Sequence, residues 1–212
     1  AHYCREHLHH HVVASLENGD APAQSLLTGF ERTEAGLLTE QRQQGVGSTM
    51  CGATGTVALI RDGSLHIGWL GDCRAVLCRG GECIELTRDH ILRGGPATDG
   101  SEHARVLGEG GHVDGGRLSG FLEVARAFGD LDQSTGRKPP GLSGTPELRS
   151  QPLHAEDEFV LVASDELWRL LDSQAAVRLA RQDLRAHANV AMAAERLVEE
   201  ALLTRRADDN IT

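Results

Sequence analysis

The chain has 212 residues, 40% apolar and 25% charged, which suits a globular domain with a substantial core rather than a disordered or fibrous protein. Its formal net charge of -10, with no local cluster of Lys and Arg, argues against a nucleic-acid partner bound through a basic surface. No stretch approaches the roughly 20 apolar residues of a membrane span, and no signal peptide is visible at the start.

The first predicted element is a helix over residues 1–18. Apolar side chains recur there every four positions, at Cys4, Leu8, Val12 and Leu16. The same segment carries His7 and His11, whose spacing of four would let them share a metal ion. A solvated helix face is the preferred interpretation, because no acidic motif accompanies them. The chain begins inside this helix without a capping residue, so we expect further residues before it.

A second helix is predicted over residues 21–43, followed by a run of small residues over 45–55. Gly-rich loops can hold phosphate, yet no Lys-Ser or Lys-Thr follows to complete a nucleotide-binding loop. A structural bend is therefore the favoured interpretation of 45–55.

Four short strands are predicted next, over residues 56–60, 65–70, 74–78 and 82–86. Asp-Gly and Gly-Gly dipeptides separate two of the pairs, which is typical of hairpins, so we expect antiparallel strands. Asp72 lies between two of these apolar runs. Beyond them, residues 89–116 form a Gly-rich, polar excursion with a short helix over 101–107, then strands over 118–126 and a loop over 137–144.

The apolar run Phe159–Ala163 predicts a buried inner strand that ends just before Asp165. Asp165 is either the N-cap of the next helical turn or a functional carboxylate at the end of a rigid strand. Helices follow over 173–181 and 188–204, and residues 208–212 look like the start of another strand. Hairpins with helices at both ends of the sequence predict an antiparallel α+β domain.

Five cysteines contain no Cys-x-x-Cys pair, and their odd number leaves one unpaired. They are Cys4, Cys51, Cys73, Cys78 and Cys83. Small buried thiols in a reduced intracellular compartment, cytoplasmic or nuclear, are the favoured interpretation, with a zinc site as the alternative.

Three carboxylates lie at the ends of apolar runs, at Asp72, Asp165 and Asp209. Hard divalent cations take oxygen ligands, and Mg²⁺ typically uses few carboxylates while it retains several waters. Convergence of these side chains would therefore suit a hydrated metal pair.

Six stretches in order resemble the type 2C family of metal-dependent protein serine/threonine phosphatases. They are Gly52-Ala-Thr-Gly-Thr-Val-Ala-Leu-Ile60, Gly71-Asp-Cys-Arg-Ala-Val-Leu77, Leu86-Thr-Arg-Asp-His90, Gly120-Phe-Leu-Glu-Val-Ala-Arg-Ala-Phe-Gly-Asp130, Ser164-Asp-Glu-Leu-Trp168 and Asp209-Asn-Ile-Thr212. Each motif alone is weak, but their order over nearly the whole chain is specific.

The resemblance implies a four-layer α-β-β-α sandwich of two antiparallel sheets flanked by helices. It also implies two Mg²⁺ or Mn²⁺ ions, whose bridging water attacks phosphoserine or phosphothreonine. By motif position, Asp165 and Asp209 are expected as metal ligands and Asp72 as the ligand of a third ion. Asp130 and Arg126 are expected to be structural, and the excursion over 89–111 corresponds to the family's substrate-selecting flap.

The chain departs from the family pattern in two ways. The family's Asp-Gly-His-Gly-Gly metal loop and its phosphate-gripping Arg are absent, as are its final strands, so we expect a single catalytic domain over 1–212 that is truncated at both ends. Within the motifs, Glu166 replaces a usual Gly, Arg169 a usual Asp and Cys73 a usual Ser. Glu166 adds charge and bulk beside the expected metals, where it would compete for an ion or crowd the cleft.

Two functions are consistent with this pattern. The first is a metal-dependent phosphatase, a monomer that acts on a phosphoprotein and binds neither nucleic acid nor membrane. The second is a catalytically weak pseudophosphatase that binds phosphoproteins or regulators. Retention of both Asp165 and Asp209 favours the enzyme, although we expect little turnover from these 212 residues alone.

Overall fold

The computed structural model describes residues 1–43, 51–93, 98, 100–132, 134–204 and 209–212. The helices among them are α1 (His2–Glu17), α2 (Pro22–Gln43), α3 (Glu102–Gly108), α4 (Asp165–Leu170), α5 (Ser173–His187) and α6 (Val190–Glu199), with a π-helical turn at Glu200–Thr204. The strands are β1 (Gly52–Ala53), β2 (Gly55–Arg61), β3 (Ser64–Leu70), β4 (Arg74–Arg79), β5 (Glu82–Glu85), β6 (Val113–Asp114), β7 (Arg117–Leu118), β8 (Phe128–Gly129), β9 (Glu147–Pro152) and β10 (Asp157–Ala163). No helix in this described part of the chain has both the length and the apolar character needed to cross a membrane.

The chain divides into two compact units, residues 1–72 with 89–151 and residues 73–88 with 152–212. The expectation of one domain over 1–212 stays a prediction. Of the predicted elements, the run over 45–55 lies largely outside the described residues. Parts of the excursion over 89–116 and the start of the 208–212 segment also lie outside them.

The first unit contains the two long helices, as their apolar periodicity predicts. Cys4, Leu8 and Val12 of α1 are buried against α2. At Gly29 of α2 an added Cβ would lie 2.3 Å from the Val12 side chain, so the close approach of the helices depends on glycine there. Phe30 of α2 stacks on Phe128 with ring centroids 5.3 Å apart, which ties the helix pair to β8.

A three-stranded sheet of the first unit has the order β2-β3-β9, and its β2 and β3 strands are antiparallel. The β2–β3 hairpin turns at Asp62-Gly63, where both residues have positive φ, as its Asp-Gly signal indicates. The α3 helix begins after Ser101, whose side chain accepts a hydrogen bond from the Ala104 N–H. The strands predicted over 118–126 are reduced to β7 and isolated bridges.

The second unit is built on a sheet of order β10-β4-β5, and α5 and α6 pack together in the same unit. The two predicted hairpins are confirmed as β2–β3 and β4–β5, but they belong to separate sheets, so the four strands do not follow one another in a single sheet. The Phe159–Ala163 run is in β10, but the expectation of an inner strand is also wrong. Among the described residues, β10 lies at the edge of its sheet, and Val162 is exposed.

Antiparallel pairing of the named strands, with helices before and after them in sequence, confirms the predicted α+β class.

Candidate metal centre and its surroundings

Asp165 lies where β10 ends and α4 begins. Ser164 has an extended backbone and occupies the cap position, so Asp165 is the first helical residue rather than the cap. The Trp168 Nε1–H donates to the Ala163 carbonyl at 2.9 Å in a buried position, which fixes α4 to the end of the strand. The carboxylate of Asp165 is thus carried on a rigid junction.

The segment that carries Asp209 is held against this junction by Ser164. The Ser164 N–H donates to the Thr212 carbonyl at 3.0 Å, and the Thr212 N–H donates to the Ser164 Oγ at 3.1 Å. The Ser164 hydroxyl donates in turn to the Asn210 carbonyl at 3.3 Å. Two of the three predicted metal ligands are therefore presented from neighbouring backbone segments.

The electrostatics of Asp165 indicate that the two carboxylates repel each other. Partial burial raises the pKa of Asp165, and the negative charge of Asp209 raises it further. A hydrogen bond from the Glu166 N–H acts in the opposite direction. A divalent cation relieves such repulsion, and carboxylate oxygens are the donors that Mg²⁺ and Mn²⁺ prefer, so the residues present fit the expected ions.

Asp72 belongs to the first unit, where it is half-buried at the end of β3. It follows Gly71, which has φ +94°, and a Cβ at Gly71 would lie 2.2 Å from the Thr54 side chain. Only glycine satisfies both conditions, so the bend that presents Asp72 depends on it. The role of Asp72 as the ligand of a third ion stays a prediction.

Glu166 and Arg169, two of the departures from the family pattern, form an ion pair with each other. Arg169 Nε lies 2.7 Å from Glu166 Oε2, and an Arg169 terminal nitrogen lies 2.7 Å from Oε1. The Glu166 side chain is 2% exposed. Both carboxylate oxygens thus accept from one guanidinium, which offsets the charge that Glu166 brings next to Asp165.

A second group of charged side chains, absent from the predicted site, lies in the first unit. Glu102 is buried and accepts hydrogen bonds from Arg126 through Oε1 and from Arg105 through Oε2. Burial alone would raise the pKa of Glu102, but these bonds outweigh it and lower the pKa to about 2. Arg126 also pairs with Glu147 at 3.1 Å. The expected structural role of Arg126 fits these contacts.

His90 adjoins this group. Its Nδ1 accepts from the Gly71 N–H at 3.0 Å, and its ring is parallel to that of Trp69 with centroids 6.0 Å apart. Burial, and after it the charge of Arg126, lowers the pKa of His90 to about 4, so the ring is neutral at pH 7. Because Nδ1 is an acceptor, the proton of the neutral ring is on Nε2.

His90, Glu102 and Glu147 each have a possible ligand atom within 4.8 Å of the others. Three potential ligand atoms this close together could surround a cation, but the protonation of His90 and the ion pairs of Glu102 oppose metal binding. The protonated Nε2 of His90 offers no lone pair, and it lies 3.7 Å from a carboxylate oxygen of Glu147. Glu102 is already neutralised by two arginines. We therefore interpret these residues as an ion-pair network. The assignment of Asp165 and Asp209 as metal ligands stays a prediction.

One part of this network has a signal in the sequence, since Glu102 and Arg105 are three residues apart on a helix. Arg126 and Glu147 come from distant segments, and no local pattern connects them with Glu102.

The chain is similar to known proteins along nearly its whole length. The sequence profile described as Protein phosphatase 2C matches residues 1–211. The chain is 35% identical over 218 residues to "Probable protein phosphatase 2C 22" of Arabidopsis thaliana, with all of this chain and 54% of the relative covered. It is 35% identical to "Probable protein phosphatase 2C 27" of Oryza sativa subsp. japonica, of which it covers 59%. The chain thus spans little more than half the length of these curated relatives.

Solved structures share the fold. A sex determining protein of C. elegans superposes with a TM-score of 0.85 at 23% identity, over 99% of this chain and 50% of that one. A serine-threonine phosphatase 2C of Toxoplasma gondii gives a TM-score of 0.75 at 22% identity, over 100% of this chain and 79% of that one. These likenesses support the predicted α+β sandwich and say nothing more specific about activity.

Proposed function

Because the chain belongs to the protein phosphatase 2C family, we propose that the protein that carries it hydrolyses phosphoserine and phosphothreonine in other proteins, using Mg²⁺ or Mn²⁺. The observation that carries this proposal is that the hydrogen bonds of Ser164 to Asn210 and Thr212 hold the segment of Asp209 against the start of α4, where Asp165 lies. The negative charge of Asp209 raises the pKa of Asp165, as expected for two neighbouring carboxylates.

In this proposal Asp165 and Asp209 hold the two ions, and Asp72 holds a third. Bound Mg²⁺ or Mn²⁺ acidifies a coordinated water and supplies a nucleophile near neutral pH. The chain's own contribution is positional. The Trp168–Ala163 hydrogen bond fixes the start of α4, and a rigid support of this kind keeps a ligand in productive geometry. The substrate is a phosphoprotein, and the protein acts as a monomer.

The test compares Asp165→Asn with Asp62→Asn in the protein that carries the chain. Asp62 is a suitable control because its side chain is 84% exposed in the β2–β3 turn, and Asn tolerates its φ of 50°. We expect Asp165→Asn to reduce Mn²⁺-dependent phosphopeptide hydrolysis at least about 100-fold and to weaken Mn²⁺ binding by calorimetry. Hydrolysis that is indifferent to Asp165→Asn, or that needs no added metal, would contradict the proposal.

The pseudophosphatase remains the alternative, and the ion pair of the buried Glu166 with the exposed Arg169 favours it because this pair adjoins the proposed ligand Asp165. It predicts that the protein binds a phosphopeptide, measured by fluorescence anisotropy, without Mn²⁺-dependent release of phosphate. Reversion of both positions, Glu166→Gly with Arg169→Asp, would then increase turnover. Turnover already present in the natural sequence would exclude this alternative.

A further inference from the structure

The hairpin of β4 and β5 places two cysteines opposite each other. In the strand register Cys78 pairs with Cys83, and the next pair, Arg79 with Glu82, closes the turn. The two turn residues, Gly80 and Gly81, have φ of +58° and +93°, which is typical of a two-residue hairpin turn of type I′. The turn fixes the register, so the two cysteines stay opposite each other.

The hydrogen-bond pattern shows which kind of pair they form. In a two-residue hairpin the residues that flank the turn exchange backbone hydrogen bonds, and the following pair does not. The Cys83 N–H donates instead to the side-chain oxygen of Gln174 at 2.8 Å, so it points away from Cys78. At non-hydrogen-bonded pairs the Cα atoms are about 4.5 Å apart, within the range of roughly 4.4–6.8 Å that disulfides span.

Both side chains lie on the same face of the sheet. Cys78 is fully buried in the core of the second unit, and Cys83 is half-buried against the same cluster. The adjoining α5 helix presents the small side chains of Ala176 and Ala180 to this cluster. Burial raises the pKa of Cys78 and of Cys83, and the charges of Glu85 and then Cys78 raise that of Cys83 further. The thiolate fraction at neutral pH is therefore small and the reaction with a peroxide is slow, so the register of the hairpin alone supports the pairing.

We propose that Cys78 and Cys83 form an intra-hairpin disulfide when the protein meets a peroxide. Cys83, the more exposed of the two, attacks one peroxide oxygen through its thiolate, which gives a sulfenic acid and releases water. The Cys78 thiolate then attacks the Cys83 sulfur. The S–O bond breaks, the S–S bond forms, and a second water leaves. The two thiols lose two electrons, which reduce one hydrogen peroxide to two waters.

The experiment treats the native protein with hydrogen peroxide, alkylates the remaining thiols, and digests with trypsin without reduction. Trypsin cleaves after Arg74, Arg79 and Arg88, so Cys78 and Cys83 fall in separate peptides, 75–79 and 80–88. We expect a disulfide-linked pair of these two peptides as the main oxidised form of either cysteine. We also expect that dithiothreitol restores both thiols.

Two variants sharpen the test. Cys73→Ala removes a half-buried cysteine five residues from Cys78, and it should form the linked peptides as fully as the natural sequence does. Cys83→Ala should leave Cys78 as an alkylated thiol after the same treatment. The proposal is overturned if Cys83 reaches sulfinic acid while Cys78 stays reduced, or if Cys83 couples to Cys51. It also fails if both thiols survive a dose that oxidises the exposed Cys51. The outcomes that overturn the proposal are all read from the natural sequence, so they do not depend on whether the variants fold.

Discussion

Replacement of Arg126 by Met tests whether the buried network is held by ion pairs. The side chains of Glu102 and Arg126 are 7% and 12% exposed, so solvent screens their interaction little. The pKa of Glu102 falls from 4.5 to about 2 on folding. Each pKa unit corresponds to about 1.4 kcal/mol, so the environment of this carboxylate contributes about 3 kcal/mol to stability at pH 7.

Arg126→Met removes one of the two cations that face Glu102 and leaves Arg105 in place. Loss of one partner from a buried ion pair typically lowers the free energy of unfolding by about 3–5 kcal/mol. Because Arg105 still pairs with Glu102, we expect a smaller loss of about 2–3 kcal/mol. Urea unfolding at pH 7, followed by circular dichroism, measures this loss. The control Arg61→Met changes an arginine that is 47% exposed, and it should shift the free energy of unfolding by less than about 0.5 kcal/mol.

A double-mutant cycle with Glu102→Gln separates the pair from other contacts of Arg126. If the two side chains interact as the structure indicates, the double variant loses less stability than the sum of the single losses. Additive losses, or a loss below about 0.5 kcal/mol for Arg126→Met, would refute the reasoning.

Three further outcomes are expected. The free energy of unfolding should fall as the pH drops from 6.5 towards 4. Burial lowers the pKa of His90 to about 4, so between these pH values only the unfolded chain takes up the proton. Urea unfolding at several pH values should show a smaller decline for His90→Asn. Arg169→Ala removes the positive charge that pairs with Glu166 beside Asp165, so calorimetry should find Mn²⁺ binding about two- to fivefold tighter, and unchanged affinity would count against the pairing. Gly71→Ala should lower the free energy of unfolding by about 1–3 kcal/mol, and Gly63→Ala should lower it less. Both glycines have positive φ, but of the two only Gly71 has a neighbouring atom within 4 Å of an added Cβ.

Local rules predicted the elements well where one signal dominated. The spacing of Cys4, Leu8 and Val12 predicts α1 because a helix returns its side chains to one face every four residues. Asp62-Gly63 predicts its hairpin because the turn needs positive φ. In contrast, β9 was missed, since its charged residues and terminal Pro152 lack the alternation that marks a strand.

The assignment of strands to sheets and the contacts between distant segments were harder to predict from local sequence patterns. Gly71 and Asp72 look like another hairpin turn, yet the chain leaves one sheet there and enters the next, and sheet membership depends on partners far away in sequence. Asp165 and Asp209 were predicted as metal ligands because each lies at the end of an apolar run and because the resemblance links two motifs 44 residues apart, and their role stays a prediction. The network around Glu102 was not found, since its members span positions 90 to 147 and no single segment contains the balance of charge.

The Ser164 hydrogen bonds have a further consequence for the metal centre. One serine bonds both Asn210 and Thr212 and immediately precedes Asp165, so Asp209 is tethered beside its partner carboxylate. Such a tether gives the second ligand a high effective concentration, because little chain entropy remains to be lost when both carboxylates close on one ion. In the proposed centre, the affinity for metal therefore depends on a hydroxyl that need not touch the metal.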